Sequence, residues 1–131
     1  MENDQQRYFT LQEARQTLET VRPIMDDIQT IRRNILDRQP EIWPAIERSA
    51  GNGGNPALSK LVWDFERLDG LLHRIQALGV LVKDLSTGLL DFPAIKDGQE
   101  IYLCWKFGEA DIEFWHEIEA GFEGRQKIDW V

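Results

Sequence analysis

Two rhythms divide the chain. Apolar residues fall at Leu11, Ala14, Leu18, Val21, Met25, Ile28 and Ile35, a 3-4-3-4-3 spacing with one missed position at Arg32. That is the stripe of a helix packed against another helix, and Ile24 and Ile31 widen it on one flank. Thr10-Leu11-Gln12-Glu13 is a capping box that starts it. Pro23 removes one amide donor and is expected to kink this helix without ending it, because the stripe resumes in register. Leu58, Leu61, Phe65, Leu68, Leu72 and Ile75 repeat the spacing. This second stripe follows an Asn55-Pro56 start and is closed by Gly79. Helices over 10–38 and 56–78 form an antiparallel hairpin, since neither could bury its face alone.

The segment 39–55 reads as a flexible linker, because Pro40, Pro44 and Gly51-Asn52-Gly53-Gly54-Asn55 break any period. Its glycine run lacks the Gly-Lys-Ser/Thr ending and the preceding strand of a phosphate loop. Ile42, Trp43 and Ile46 are too apolar for a free loop and predict a short docked helical turn.

After Gly79 the period becomes two. Val80-Leu81-Val82-Lys83-Asp84, Leu89 to Ile95 and Glu100 to Lys106 read as strands. A two-residue turn at Asp97-Gly98 pairs Lys96 with Gln99 and carries the ladder back to Leu90 opposite Trp105. One face then collects Leu90, Phe92, Ala94, Ile101, Leu103 and Trp105; the other collects Asp91, Tyr102, Cys104 and Lys106. A three-residue turn before Leu89 sets Val80 and Val82 on the apolar face and Lys83 across from Asp91. Pro93 must face a bulge or an unpaired edge. Over 112–118, alternation and aromatic content favour a strand over a helix. It places Phe114 and His116 on one face, Trp115 and Glu117 on the other. The fold class is therefore α+β in a single domain, 1–131: an N-terminal two-helix hairpin packed on a small C-terminal antiparallel sheet of three to four strands, with sheet and loop spanning 80–128.

Composition narrows the function. Apolar content of 42% and charged content of 29% are those of a soluble globular chain, and no apolar run reaches membrane-spanning length. The acidic, polar start is not a secretory signal, and a single cysteine, Cys104, excludes an internal disulfide and fits a cytoplasmic location. Of the net charge of −8, residues 80–131 carry −6, with 5 basic against 11 acidic side chains. That balance argues against nucleic acid and anionic membranes, and leaves a cation, a basic partner or solubility as its meaning.

The pattern Lys83-Asp84…Gly88-Leu89…Asp91-Phe92-Pro93…Leu103-Cys104-Trp105…Gly108-Glu109…Trp115-His116-Glu117…Gly121-Phe122…Gly124-Arg125 resembles a family of short, uncharacterised bacterial and archaeal proteins catalogued as a domain of unknown function. Tyr8-Phe9-Thr10-Leu11 and the following helix are also similar, so the likeness covers nearly the whole chain. It implies a prokaryotic, cytoplasmic protein of one domain and carries no chemistry with it.

Candidate ligand-binding residues are Lys83, Asp91, Cys104, Trp115, His116, Glu117 and Arg125. No recognised ligand spacing occurs among them, so no metal is expected and no cofactor is identified; were a metal held, His116 and Glu117 would hold it. Structural roles compete: His116 as a half-buried ring on the apolar side of a strand, bonded to backbone; Cys104 as a small apolar residue; Arg125 paired with Glu109, Glu117 or Asp91. Trp63 and Gly70 lie off the helical stripe and predict a contact with the linker or with another subunit. The leading reading is a non-catalytic, homo-oligomeric interaction protein. The alternative is a small-ligand or metal-dependent protein, an enzyme included, with its site around His116 and Arg125. No catalytic residue or substrate follows from the sequence.

Overall fold

The computed structural model describes residues 6–52 and 56–130, so the Asn55 start of the second predicted helix lies outside the described residues. Helices α1 (Leu11–Asp37), α2 (Gln39–Asn52) and α3 (Pro56–Ala77) precede strands β1 (Leu81–Asp84), β2 (Leu89–Lys96), β3 (Gln99–Lys106), β4 (Phe114–Glu117) and β5 (Gln126–Lys127). The architecture is α+β, with α1 and α3 on one face of a five-stranded antiparallel sheet ordered β1-β2-β3-β4-β5. The sheet exceeds the expected three to four strands because β5, two residues long, has no alternation to announce it.

The capping box closes as its sequence requires. Thr10 Oγ1 accepts from the Glu13 amide at 3.0 Å, and Glu13 Oε1 accepts from the Thr10 amide at 2.9 Å. The helix runs on through Pro23. Ala14, Leu18, Val21, Ile24, Met25, Ile28 and Ile31 face the core. Polar side chains on α1 lock it to the sheet loops: Arg15 donates to the Ile112 carbonyl, Arg22 to Ala110 and Gln29 to Leu85.

Two helical expectations are corrected. Residues 39–52 are a helix rather than a linker. Pro40 falls in its first turn, where a missing donor costs nothing, and Glu41 there suits the helix dipole. On α3 the inward stripe is Asp64, Leu68, Leu71 and Ile75, while Phe65 is 50% exposed. Asp64 takes the seam because cations meet it there: Lys60 Nζ at 2.7 Å and Arg38 Nη1 at 2.9 Å. Burial alone would push the Asp64 carboxyl up, but the hydrogen bonds and charges of Lys60 and Arg38 outweigh it and hold it below the usual range.

The β2–β3 ladder pairs Lys96 with Gln99 and Leu90 with Trp105. Asp97 (φ 52°) and Gly98 (φ 80°) adopt the positive φ values of a primed hairpin turn. Phe92, Leu103 and Trp105, each no more than 1% exposed, lie beneath the helices. The β1–β2 connection is a four-residue turn with a bulge at Lys83, so Leu81 rather than Lys83 pairs with Asp91. Val80 and Val82 still join the core. Pro93 lies beyond the end of the β1 ladder, and its carbonyl accepts from the Phe9 amide, so its missing donor faces no strand.

Gly88, in the turn before β2, has φ +72°; a Cβ there would lie 2.4 Å from the Phe107 Cβ and 3.3 Å from the Met25 Cε. Gly98 (φ +80°) has open space instead. Gly88→Ala is expected to cost about 2–4 kcal/mol and Gly98→Ala about 1 kcal/mol in urea unfolding; equal losses would show that the Phe107 contact simply relaxes. Asp64→Asn tests the hairpin seam. A depressed carboxyl contributes stability above its unfolded pKa and loses it as pH falls through the folded value. Wild type should therefore exceed the variant by about 1–2 kcal/mol at neutral pH, with the gap closing in acid below the ordinary aspartate range.

Candidate functional site

Strand alternation gives the sheet a second, outward face, and three adjacent strands place polar groups on it. Asp91 on β2 pairs with Cys104 on β3, and Tyr102 on β3 pairs with His116 on β4. Asp91 and His116 are 2% exposed and Cys104 is fully buried, although the helices cover the opposite face. Around them lie Lys83, whose ammonium sits 4.7 Å from the Tyr102 ring centre, and Tyr102 itself, edge-on to His116.

His116 Nε2 lies 3.0 Å from Asp91 Oδ1, and Nδ1 lies 2.8 Å from the Glu117 carbonyl oxygen. A carbonyl can only accept, so Nδ1 carries a proton, and one further proton is held between Nε2 and the carboxylate. Burial pushes the Asp91 carboxyl up from its ordinary range, while the charge and hydrogen bond of His116 and the charge of Lys83 pull it down. Burial also pushes the Cys104 thiol up to about 12 against the opposing pull of Arg125. A thiol in that state is no nucleophile.

Arg125 reaches this face because the 3-10 turn Phe122–Gly124 delivers it to the start of β5, which pairs with β4. Its Nη1 and Nη2 meet the two carboxylate oxygens of Glu109 at 3.2 and 2.7 Å, and Nη1 points at Cys104 Sγ at 3.8 Å. The guanidinium lies over the Phe114 ring at 4.0 Å and the Phe122 ring at 4.5 Å. Glu109 is held in turn by the Lys106 amide on its side chain and the Trp105 indole on its carbonyl. Burial alone would lower the Arg125 pKa; the hydrogen bonds to Glu109 and Cys104 more than reverse that and raise it.

Of the residues singled out by sequence, the structure brings Asp91, Cys104, His116 and Arg125 into one cluster, with Lys83 at its rim. Trp115 and Glu117 do not join it. Trp115 lies on the inner face, edge-on to Trp130, and Glu117 is an exposed neighbour that contributes only its main-chain carbonyl. Strand alternation places both side chains on the face opposite His116. His116 sits on the outer face rather than the apolar one, and a carboxylate as well as backbone holds it. Tyr102 and Glu109 complete the cluster; Glu109 was readable only as one of three partners for Arg125, and Tyr102 only as a polar-face residue.

A separate groove of about 870 Å³ runs between the first half of α1 and the sheet, lined by Phe9, Gln12, Arg15, Glu19, Asp111 and Trp130. Of its lining cations, Arg15 is committed to the Ile112 carbonyl and Arg22 to the Ala110 carbonyl.

The Cys104 assignment has a direct check. At pH 8 the native thiolate fraction is roughly 1,000-fold below that of an unfolded cysteine. Iodoacetamide should therefore modify native, metal-free protein about 1,000-fold more slowly than urea-unfolded protein; comparable rates would show the thiol to be open.

No curated protein and no solved structure matches the chain. Residues 7–128 match the family described as uncharacterized conserved protein (DUF2203). Since that match spans the helices and the whole sheet, the chain belongs to the DUF2203 family.

Proposed function

We propose that this protein is a non-catalytic interaction protein that pairs with a second copy of itself through the outer surface of α3. The observation that carries this is the open apolar surface at the helical end: Val62 (56% exposed), Trp63 (54%) and Phe65 (50%) on α3, with Trp43 (66%) on α2. Single exposed apolar residues are ordinary, but this density on adjoining helices is typical of an association surface. Gly70 lies two turns from Trp63 on the same outer surface and has nothing within 4 Å of where a Cβ would be, so a second helix can approach closely. Lys60 and Arg67 lie over the Trp63 ring. A second copy suits this surface because residues 1–79 are nearly balanced, 10 basic against 12 acidic, whereas the sheet part carries most of the negative charge. Two copies meeting by their helical ends keep their acidic parts apart.

A second reading, a small-ligand or metal-dependent protein with its site around His116 and Arg125, is favoured by the buried outer-face cluster. The two are compatible, because cluster and helices lie on opposite faces of the sheet.

Sedimentation equilibrium at micromolar concentration is expected to give a dimer. Phe65→Glu and Trp63→Ala should each yield a monomer with unchanged helical circular dichroism, and Gly70→Arg should weaken pairing while leaving the monomer folded. A wild type that stays monomeric throughout the micromolar range removes the proposal.

A further inference from the structure

We infer that Asp91, Cys104 and His116 form a binding site for a thiophilic divalent cation of the zinc type. This rests on the ligand-site reading of the outer face and adds the chemistry of the ligand. One carboxylate oxygen, one thiol sulfur and one imidazole nitrogen lie within 4.8 Å of one another, on three adjacent strands. Hard ions such as magnesium and calcium take all-oxygen sets; a mixed oxygen, nitrogen and sulfur set selects zinc, iron(II) or cobalt(II).

Three further features point the same way. The Nδ1 proton of His116 is spent on the Glu117 carbonyl, which is the outer partner that metal-ligating imidazoles use to aim Nε2 inward. Arg125 faces Cys104 Sγ and would steady a thiolate, and Glu109 fixes Arg125 in that position. Charge also balances. With Cys104 a free thiol and a hydrogen bond joining Asp91 to His116, the metal-free cluster carries two exchangeable protons. Exchanging those two protons for one divalent ion leaves the net charge of a buried site unchanged, so no uncompensated charge is created. In the bound state the thiolate sulfur, a carboxylate oxygen and Nε2 are the donors, and two protons go to solvent. Tetrahedral zinc with bonds of ~2.0–2.3 Å needs donors about 3.3 Å or more apart. The Asp91–His116 contact at 3.0 Å therefore has to open by only a few tenths of an ångström. Three protein ligands leave a fourth position for water or another small ligand.

The pair Asp91–His116 is also satisfied as a purely structural hydrogen bond, and the experiment separates the two. Full-length protein, stripped with chelator and desalted, is titrated with cobalt(II). The expected result is one ion per chain, a thiolate-to-cobalt charge-transfer band in the near ultraviolet, release of two protons into weak buffer, and displacement by zinc. Cys104→Ser should abolish the band while preserving the fold. Asp91→Asn and Cys104→Ser should each weaken zinc binding by more than about 100-fold, beyond the loss usual for an outer partner. Folded wild-type protein that binds neither ion, or cobalt binding without a band and unchanged in Cys104→Ser, overturns the assignment. In that case, thermal stabilisation by inorganic phosphate that is lost in Arg125→Ala would keep a ligand site of another kind. Absence of both responses removes the ligand-site reading altogether.

Discussion

The register of the β2–β3 hairpin is the constraint on which the rest of this molecule depends. Asp97-Gly98 closes the turn in two residues, and the ladder then runs unbroken from Lys96–Gln99 to Leu89–Lys106. Because strand side chains alternate, a slip of β3 by one residue against β2 would turn every β3 side chain to the opposite face. Leu103 and Trp105 would face outward, and Cys104 would lie among the apolar side chains beneath the helices, parted from Asp91. The turn therefore sets two things at once: which residues the helices cover, and which polar groups share the outward face. Burial of the inner set drives folding. The outer set is a consequence that selection can shape.

The outer cluster is not explained by stability alone. Replacing a buried ion pair by apolar groups of similar volume is often neutral or stabilising. A sheet face far from the helices could have been finished with Val and Thr. Instead it holds an acid, an imidazole and a thiol, each almost fully buried, beside an arginine clamped by a carboxylate and stacked between two phenylalanines. Each charged group there has a partner of opposite sign, so the arrangement is electrically quiet until something displaces a proton. That pairing serves the ligand site proposed above and the structural hydrogen bond alike, which is why occupancy has to be measured.

How much of this could be read from residues alone depends on how local the cause was. The hairpin register was legible because turn chemistry and a six-residue apolar face both require it. The β4 strand was legible from its alternation, and that same alternation already parted His116 from Glu117, so grouping them in one site conflicted with the pattern. Asp64 in the helical seam was not legible, since its burial depends on Arg38, 26 positions away, and Phe65 looks the better seam residue by polarity. The helix over 39–52 was hidden by its prolines and by the glycines after it. The pairing of Arg125 with Glu109 was narrowed to three acids; choosing among them needed the path of the 3-10 turn.

The proposed self-association and the proposed ion binding would make separate demands on the chain, and the architecture places them apart. The α1–α3 hairpin is longer than the strands it covers, 27 residues of helix in α1 against eight of strand in β3. Its open end is where Trp43, Val62, Trp63 and Phe65 lie, while the Asp91 cluster lies across the sheet on the opposite face. No side chain described above touches both. Perturbations at sites this far apart, without shared partners, should add independently. A measured coupling between occupancy of the cluster and pairing of the helices would therefore require a connecting element. The bulge at Lys83 is the place to look, since α3 packs on β1, and Lys83 reaches from that strand to Tyr102 beside His116.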